Sequence, residues 1–311
     1  MTTHTPVMVR EVVAALDVRP GGRYVDCTVG AGGHALAIMD EAAPGGSLLG
    51  IDRDAAALAE ARSTLERYGD DVLLEQGDFA DVDRICREAD FAPVHGVLLD
   101  LGLSSLQLDE AERGFSFQRE GPLDMRFDRE QQLTAEQIVN EYEVDDLADV
   151  LHRYGEEPQA RRIARRIVER RPLRTTTELA KVVEEAVGGR ARRQSHPATR
   201  TFQALRIAVN QELLSLETAL PLAYGLLGDL GRLAVLSYHS LEDRLVKNFI
   251  RRESRDCLCP PRQPVCTCGH TAVLRPVVRG AQRPSAGEVE RNPRSRSARL
   301  RVAERLPAAA G

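Results

Sequence analysis

The stretch DCTVGAGGH, residues 26–34, has an apolar run on either side. An apolar run, a glycine-rich turn and a second apolar run are typical of a strand that leads into a helix. Glycine adopts positive φ and lets a ligand approach the backbone closely, so this turn suits a nucleotide-like molecule. The spacing Gly30-x-Gly32-x-x-Ala35 fits the G-x-G-x-x-A form of the dinucleotide fingerprint. Alone this is a weak signal, because tight turns are often glycine-rich.

Carboxylates stand at the ends of the neighbouring apolar runs. Asp26 ends the run before the glycines, and Asp52, Asp78 and Asp100 end the next three. Ligands of open α/β sheets bind outside the carboxyl ends of the strands, where these side chains would converge. Asp52 lies about 20 residues past the glycines, the spacing of an acid that holds ribose hydroxyls. Together the acids favour S-adenosylmethionine over a nicotinamide dinucleotide, since that ligand carries an ammonium and a sulfonium rather than a pyrophosphate.

Strand and helix signals alternate along the first hundred residues. Strands are predicted near 23–29, 47–53, 72–79 and 96–102, and helices near 34–42, 54–68 and 81–90. This order predicts an α/β fold with a mostly parallel sheet and right-handed crossovers. Strand character returns at 231–239, a helix follows at 241–252, and a final edge strand is predicted at 297–303.

Residues 103–130 have no clean period and are rich in polar and turn residues. A long loop beside a ligand-binding edge is usually functional. The residues after it read as helices without a strand, which predicts an all-helical lobe inserted into the α/β domain. We expect a discontinuous α/β domain at 1–104 and 211–311, with the loop and the lobe at 105–210.

Both capping residues and apolar periodicity predict helices in the lobe. Capping boxes are predicted at 134–137 and 175–178, and Pro158 fits the first turn of a helix. Apolar residues that recur at three and four from 202 to 220 predict one long helix.

Composition bounds the class of protein. The 311 residues have room for one large or two ordinary domains, and 42% hydrophobic with 4% aromatic residues suits a soluble α/β protein. No apolar stretch is long enough to span a membrane. Residues 1–4 lack the charged-then-apolar layout of a signal peptide. We therefore expect a cytoplasmic protein without a membrane partner.

Positive charge is concentrated in two segments. Residues 161–206 carry a net charge of +9 and residues 244–305 a net charge of +10, against −5 for the whole chain. This segregation favours a polyanionic partner, although solvated arginines on helix faces explain part of it equally well. The acidic remainder argues against a protein that coats nucleic acid indiscriminately, and no DNA partner is expected.

Six blocks of sequence resemble one bacterial family. They are DCTVGAGGH (26–34), LDLGLSSLQLD (99–109), ERGFSF (112–117), GPLDMR (121–126), SYHSLEDR (237–244) and NPRSRS (292–297). They resemble the small-subunit ribosomal RNA cytosine-N4 methyltransferase family (RsmH, also called MraW), and the similarity runs from His4 to about Glu304. The blocks within 112–126 are highly specific.

The resemblance implies a class I, Rossmann-like S-adenosylmethionine-dependent methyltransferase with an inserted helical lobe. It implies methylation of the N4 amine of a decoding-region cytidine in 16S ribosomal RNA of the small subunit. For S-adenosylmethionine it implies contacts from Gly32, Gly33, His34, Asp52, Phe79, Asp100 and Gln107.

Cytosine N4 is a poor nucleophile because its lone pair is delocalised into the ring. An acceptor of its N–H hydrogen bonds would favour a pyramidal nitrogen, and Asp100 is the candidate for this catalytic role; a contact to the cofactor alone is the equal alternative. Asp100 is followed by Leu-Gly-Leu, so the Pro-Pro-aromatic sequence of many amino-methyltransferases is missing. An exposed base needs a stacking partner, for which Phe115, Phe117 and Tyr238 are the candidates.

Four cysteines, Cys257, Cys259, Cys266 and Cys268, lie within twelve residues. Four thiolates can bind a tetrahedral Zn²⁺. However, only one residue separates the cysteines of each pair here, whereas two separate them in the usual C-x₂-C motif. The sequence leaves a zinc site and a loop of reduced thiols equally open.

Two other classes of function compete with methyl transfer. A nicotinamide-dependent oxidoreductase shares the glycine turn and Asp52. A non-catalytic RNA-binding or assembly factor would need only the basic segments. The full set of acids argues against both.

Overall fold

Seven strands form one sheet in the part of the chain that the computed structural model describes, residues 6–188, 196–263 and 265–307. They are β1 (Arg23–Asp26), β2 (Ser47–Asp52), β3 (Val72–Gln76), β4 (Val94–Asp100), β5 (Leu227–Ser237), β6 (Leu274–Pro276) and β7 (Arg299–Arg305). The order across the sheet is β3-β2-β1-β4-β5-β7-β6. Strands β1 to β5 are parallel, and β7 is antiparallel to both of its neighbours. The predicted mostly parallel α/β sheet is confirmed. The prediction that the last strand forms an edge is wrong, because β6 pairs outside it.

The helices of the described residues are α1 (Val9–Leu16), α2 (Gly33–Ala42), α3 (Ala55–Leu65), α4 (Val82–Glu88), α5 (Ser105–Asp109), α6 (Ala135–Glu141), α7 (Val144–Gly155), α8 (Ala160–Glu169), α9 (Thr176–Val187), α10 (Thr199–Asn210), α11 (Glu212–Leu226), α12 (Ser240–Glu253) and α13 (Ala286–Arg291). None of them combines the length and the apolarity that crossing a membrane requires. The predicted lack of a signal layout concerns residues 1–4, which lie outside the described residues, as do residues 189–195 of the first basic segment.

Both faces of the sheet are covered. Successive side chains of a strand point to opposite faces, so Tyr24 packs in one core with α1, α2 and α3 while Val25 packs in the other with α4, α11 and α12. Leu98 and Leu99 on β4 divide between the two cores in the same way. Such two-sided burial is what parallel strands need.

The chain divides into two compact units, residues 1–102 with 213–311, and residues 103–212. The second unit is built from α5 to α10 around an apolar core of its own. The segment between α5 and α6, predicted as a loop, is anchored in this core by Phe115, Leu123 and Met125. The predicted domain boundaries were 1–104 with 211–311 and 105–210.

Hydrogen bonds to the backbone also order this segment. The Arg113 guanidinium, on a residue only 4% exposed, donates to the carbonyls of Arg126 and Phe127 at 3.1 and 2.9 Å. The amide of Asn210 donates to the Met125 carbonyl at 2.7 Å and accepts from the Phe127 N–H at 2.8 Å. Buried polar side chains therefore order a segment in which the only helix of the described residues is one 3-10 turn, Ala111–Arg113.

Both predicted capping boxes are present, at the starts of α6 and α9. Two other helix predictions are wrong. The helix expected from 202 to 220 is interrupted at Gln211, whose φ of 53° is left-handed and separates α10 from α11. Pro158 lies before the N-cap of α8, which is Gln159, rather than in its first turn.

Candidate active site

The turn between β1 and α2 is shaped by glycine. Gly30 and Gly32 have φ values of 52° and 87°, where other residues are strained. A β-carbon on Gly33 would lie 2.2 Å from Cγ of Pro6. Gly32 is the N-cap of α2, so the first backbone N–H groups of this helix face the turn. The turn therefore offers backbone donors, without side chains in the way, at a helix end that favours anions.

Three carboxyl groups meet at one edge of the sheet. Asp26 ends β1, Asp52 ends β2 and Asp100 ends β4, and β1 lies between the other two strands. Burial is the main cause that raises the pKa of Asp26 to about 7, and the charges of Asp100 and Asp52 raise it further. Three of the four acids that the sequence predicted to converge, Asp26, Asp52 and Asp100, therefore lie close enough to interact.

One oxygen of Asp26 lacks a partner. The residue is 1% exposed, and its buried Oδ2 forms no hydrogen bond with the described residues. Its Oδ1 accepts from the backbone N–H of Thr28 at 3.1 Å and from the Thr28 hydroxyl at 3.4 Å. A buried carboxylate oxygen without a donor is costly in free energy. A cationic group that entered the site would satisfy it.

Asp52 ties the glycine turn to the end of β2. Its Oδ2 accepts the backbone N–H of Gly30 at 2.9 Å, and its Oδ1 accepts that of Asp54 at 2.9 Å. Burial raises the pKa of Asp52 to about 6, against the lowering effect of these hydrogen bonds. A carboxylate accepts about four hydrogen bonds, so Asp52 has capacity left for hydroxyl groups of a ligand.

Asp100 is held from three sides. The Tyr238 hydroxyl donates to Oδ1 at 2.8 Å, Nδ1 of His34 lies 3.4 Å from Oδ2, and the Asp100 backbone N–H donates to the Thr28 hydroxyl at 2.7 Å. Nε2 of His34 lies 2.8 Å from the Val7 carbonyl, which only accepts, so Nε2 carries a proton. Burial, and then the charge of Asp100, raise the pKa of Tyr238 well above its usual value. Tyr238 therefore stays a hydrogen-bond donor.

Phe79 follows β3 and packs half-buried against the apolar core, with the Arg53 guanidinium 5.9 Å from its ring centroid. Asp78, one of the acids singled out in the sequence, has a structural role here. Its Oδ1 accepts the Ala80 N–H at 3.0 Å, and its Oδ2 is paired with Arg53 and accepts the Ser215 hydroxyl at 3.0 Å.

Three predicted site residues belong to the second unit. Gln107 is 6% exposed and forms a reciprocal cap with Ser104 at the start of α5, through hydrogen bonds of 3.1 and 3.2 Å. Phe115 is 6% exposed and stacks on Phe127 with ring centroids 5.5 Å apart. Phe117 stacks on His196, centroid to centroid at 4.4 Å. The rings of Phe115 and Phe117 thus have packing partners inside their own unit.

The remaining predicted residues come together elsewhere. Cys257, Cys259, Cys266 and Cys268 bring their sulfurs within 4.8 Å of one another in the segment between α12 and β6. His239 caps α12 by accepting the Glu242 N–H on Nδ1 at 3.4 Å.

The profile of the MraW methylase family matches residues 1–306. The chain belongs to the MraW methylase family. A relative from Dehalococcoides mccartyi is 57% identical over 303 residues, which are 97% of this chain and 86% of the relative. A relative from Thermomicrobium roseum is 53% identical over 308 residues, which are 98% of this chain and 94% of the relative. Both are named ribosomal RNA small subunit methyltransferase H.

An MraW methylase uses S-adenosylmethionine as its methyl donor, and the strand ends described above fit this molecule. The unsatisfied Oδ2 of Asp26 and the neighbouring carboxyl groups form an acidic lining that suits an ammonium and a sulfonium. The free N–H groups at the start of α2 suit the carboxylate of the methionyl moiety.

The sequence did not predict the contacts that connect the acids in this methylase, although it named Tyr238 as a candidate for base stacking. Thr28 bridges Asp26 and Asp100, and Tyr238 fixes Asp100, although 138 residues separate that pair. Thr28 follows Asp26 by two residues, the spacing of an Asx-turn, so a local signal existed for it. The sequence contains no such signal for the hydrogen bond between Tyr238 and Asp100.

Proposed function

We propose that this protein transfers a methyl group from S-adenosylmethionine to the exocyclic N4 amine of a decoding-region cytidine in 16S ribosomal RNA of the small subunit. The proposal depends chiefly on one observation: a relative 57% identical over 97% of the chain is named ribosomal RNA small subunit methyltransferase H. The choice of the N4 amine rests on the resemblance of the six sequence blocks. The proposal places the enzyme in the cytoplasm, with its substrate.

Gly32, Gly33, Asp26 and Asp52 form the proposed site for the polar groups of the cofactor. Gly32 shapes the turn, and its own N–H donates to the Val29 carbonyl at 2.8 Å. The N–H of Gly33 binds the carboxylate, and Oδ2 of Asp26 accepts from the ammonium. Asp52 accepts from the ribose hydroxyls. These assignments are supported by the left-handed glycine turn, the orphaned oxygen and the unused acceptor capacity of Asp52.

Phe79, His34, Asp100 and Gln107 complete the proposed cofactor contacts. The half-buried ring of Phe79 offers a face for the adenine. His34 lies beside Asp100, with its Nδ1 3.4 Å from the carboxylate and its Nε2 fixed by the Val7 carbonyl. Gln107 is held in place by its cap with Ser104. When bound, the cofactor supplies an already activated methyl group, so the protein contributes mainly alignment and electrostatics.

Asp100 is the proposed catalytic residue. Its carboxylate accepts an N–H hydrogen bond of the target amine, which draws the lone pair out of conjugation and disperses the positive charge that develops on nitrogen. The Tyr238 hydroxyl donates to the carboxylate and holds it in one orientation. The alternative is that Asp100 only binds the cofactor, and an experiment has to distinguish this role from catalysis.

For stacking on the target base, Tyr238 is favoured over Phe115 and Phe117. Phe115 is 6% exposed, and Phe117 stacks on His196 and meets Phe202 edge to face. Tyr238 is bound to Asp100 through its hydroxyl and is only partly buried. Its ring is thus fixed next to the proposed catalytic carboxylate.

The test is to incubate the protein with labelled S-adenosylmethionine and unmodified small subunits, and then to identify the labelled nucleoside. We expect N4-methylcytidine from the wild type and none from Asp100→Asn. Asp40→Asn, at an exposed position, is the matched control and should remain active. If Asp100→Asn methylates normally and binds the cofactor normally, Asp100 has no catalytic role. Label in another nucleoside would refute the proposed acceptor, and cofactor binding without any transfer would favour the assembly factor.

A further inference from the structure

The four clustered cysteines have the geometry of a metal site. Distances between their sulfurs are 3.5 Å for Cys257–Cys266, 3.6 Å for Cys266–Cys268, and 3.9 Å for Cys259–Cys266 and Cys257–Cys268. Four thiolates bound to a tetrahedral Zn²⁺ at about 2.3 Å lie about 3.8 Å from one another. The observed spacing agrees with this value, and none of the four cysteines forms a disulfide.

Backbone donors surround the sulfurs. The N–H of Leu258 points to Cys268 Sγ at 3.3 Å, and the N–H groups of Cys259 and Thr267 point to the sulfurs of Cys257 and Cys259 at 3.4 Å. Hydrogen bonds of this kind stabilise the negative charge of a thiolate, and they orient metal ligands. Three of the four sulfurs thus accept backbone hydrogen bonds that favour the thiolate form.

The segment has little else to fold around. Residues 254–273 contain no helix or strand among those that are described, and the apolar side chains of Leu258 and Val265 are 40% and 71% exposed. Its ends are joined by the hydrogen bond from the Val273 N–H to the Glu253 carbonyl at 2.9 Å. A long loop without a hydrophobic core usually needs a cross-link or a metal to hold one conformation.

We propose that Cys257, Cys259, Cys266 and Cys268 bind one structural Zn²⁺, which holds residues 254–273 in their folded form. His270 is close in sequence, but its Nε2 lies 3.1 Å from the Arg252 carbonyl, so the ligand set is four cysteines. A site with four protein ligands has no open position for water or substrate. The metal is therefore structural and takes no part in methyl transfer.

The test is the metal content of the full-length protein, purified without chelator and without a metal-affinity tag, by elemental mass spectrometry. We expect about one zinc per chain, retained in Thr267→Ala and lost in the double variant Cys257→Ser, Cys266→Ser. Thr267 lies between two ligands, and its hydroxyl accepts from Gln263 at 2.8 Å and lies 4.0 Å from the Cys259 sulfur. Alanine removes this hydroxyl and keeps the backbone N–H that points to Cys259, which makes it a control within the same loop. Replacement by Co²⁺ should produce the visible absorption of a tetrahedral four-sulfur site.

The wild type alone decides the question if the double variant fails to fold. A folded wild type that contains no zinc, and whose four clustered thiols react freely with a thiol reagent before and after incubation with zinc, would overturn the proposal. Iron in place of zinc, or zinc retained by a folded double variant, would overturn it as well. Cofactor affinity, measured beside the metal content, tests the proposed function separately.

Discussion

Asp26 is ionisable, buried and short of one hydrogen bond, so its charge opposes folding. Its pKa lies at about 7 in the folded protein, mainly because of burial, against 3.8 for an exposed aspartate. A folded-state pKa above the unfolded value means that the folded protein binds the proton more tightly. For this group, the free energy of unfolding is highest below about pH 4 and falls as the pH rises to about 7.

We therefore expect Asp26→Asn to be more stable than the wild type at about pH 8, by up to a few kcal/mol. At about pH 4, where Asp26 is protonated in the wild type, the two proteins should be nearly equal. Asparagine keeps an oxygen that accepts from Thr28, so the turn is retained. Urea unfolding at both pH values measures the effect. The same change in stability at both values would show that ionisation of Asp26 is not its cause.

Tyr238 offers a second test at single-residue scale, because its ring and its hydroxyl have separate proposed roles. Tyr238→Phe keeps the stacking face and removes the donor to Asp100 Oδ1. A hydrogen bond to a charged group contributes about 1.5–3 kcal/mol, so we expect kcat to fall about 10- to 100-fold. Affinity for S-adenosylmethionine should change little. Steady-state kinetics gives kcat, and a separate binding measurement gives the affinity for S-adenosylmethionine. An unchanged kcat would show that Tyr238 does not position Asp100.

At the scale of elements, helix starts are set by local sequence and can be tested locally. The Thr175 hydroxyl accepts the Glu178 N–H at 3.2 Å at the start of α9, and Glu178 Oε2 accepts the Thr175 N–H at 3.1 Å. We expect Thr175→Ala to lower the free energy of unfolding by about 1 kcal/mol. Thr64→Ala is the control, since the Thr64 hydroxyl donates to the Glu60 carbonyl inside a helix and its loss should be neutral or slightly stabilising. Urea unfolding followed by circular dichroism compares the two, and equal losses would argue against the cap.

Elements were predictable where a short pattern determines them. The first four strands, and the two capping boxes, follow from apolar runs and from side chains three residues apart. The break at Gln211 was not predictable, because one left-handed residue leaves the apolar stripe in register on both sides. Nor was the short strand β6, whose three residues pair only through contacts with β7 far along the chain.

The candidate site also has a part that the sequence predicts and a part that it does not. Strand ends and glycines place Asp26, Asp52 and Asp100 at one edge of the sheet, and this much follows from the order of elements. The state of each carboxyl group depends on partners that sequence patterns do not specify, such as Tyr238 for Asp100. The cysteines are an intermediate case: their spacing suggested a metal, and only the sulfur distances separate a tetrahedral cluster from a loop of thiols.

At the scale of the whole molecule, positive charge occurs in both units, since residues 161–206 belong to the second unit and 244–305 to the first. Helix α8 shows how this charge is used. Its apolar face is buried, whereas Arg161 and Arg165 are exposed to solvent. Arg166 and Arg170 instead hold Glu185, each at 2.9 Å. Arg161 and Arg165 are thus available to bind phosphates, whereas Arg166 and Arg170 stabilise the fold through Glu185.

We therefore expect Arg161→Ala with Arg165→Ala to weaken binding to small ribosomal subunits and to reduce the slope of log affinity against log salt by about 2, one for each lost phosphate contact. Arg166→Ala with Arg170→Ala removes the same charge from the same helix and should change the slope less, because those guanidiniums are already paired with Glu185. Affinity for S-adenosylmethionine should be unchanged in both double variants. The measurement is a filter-binding titration over a series of salt concentrations. An equal reduction of the slope by both double variants would contradict the distinction between the solvent-exposed pair and the pair that holds Glu185. A slope unaffected by either would place the RNA on another face.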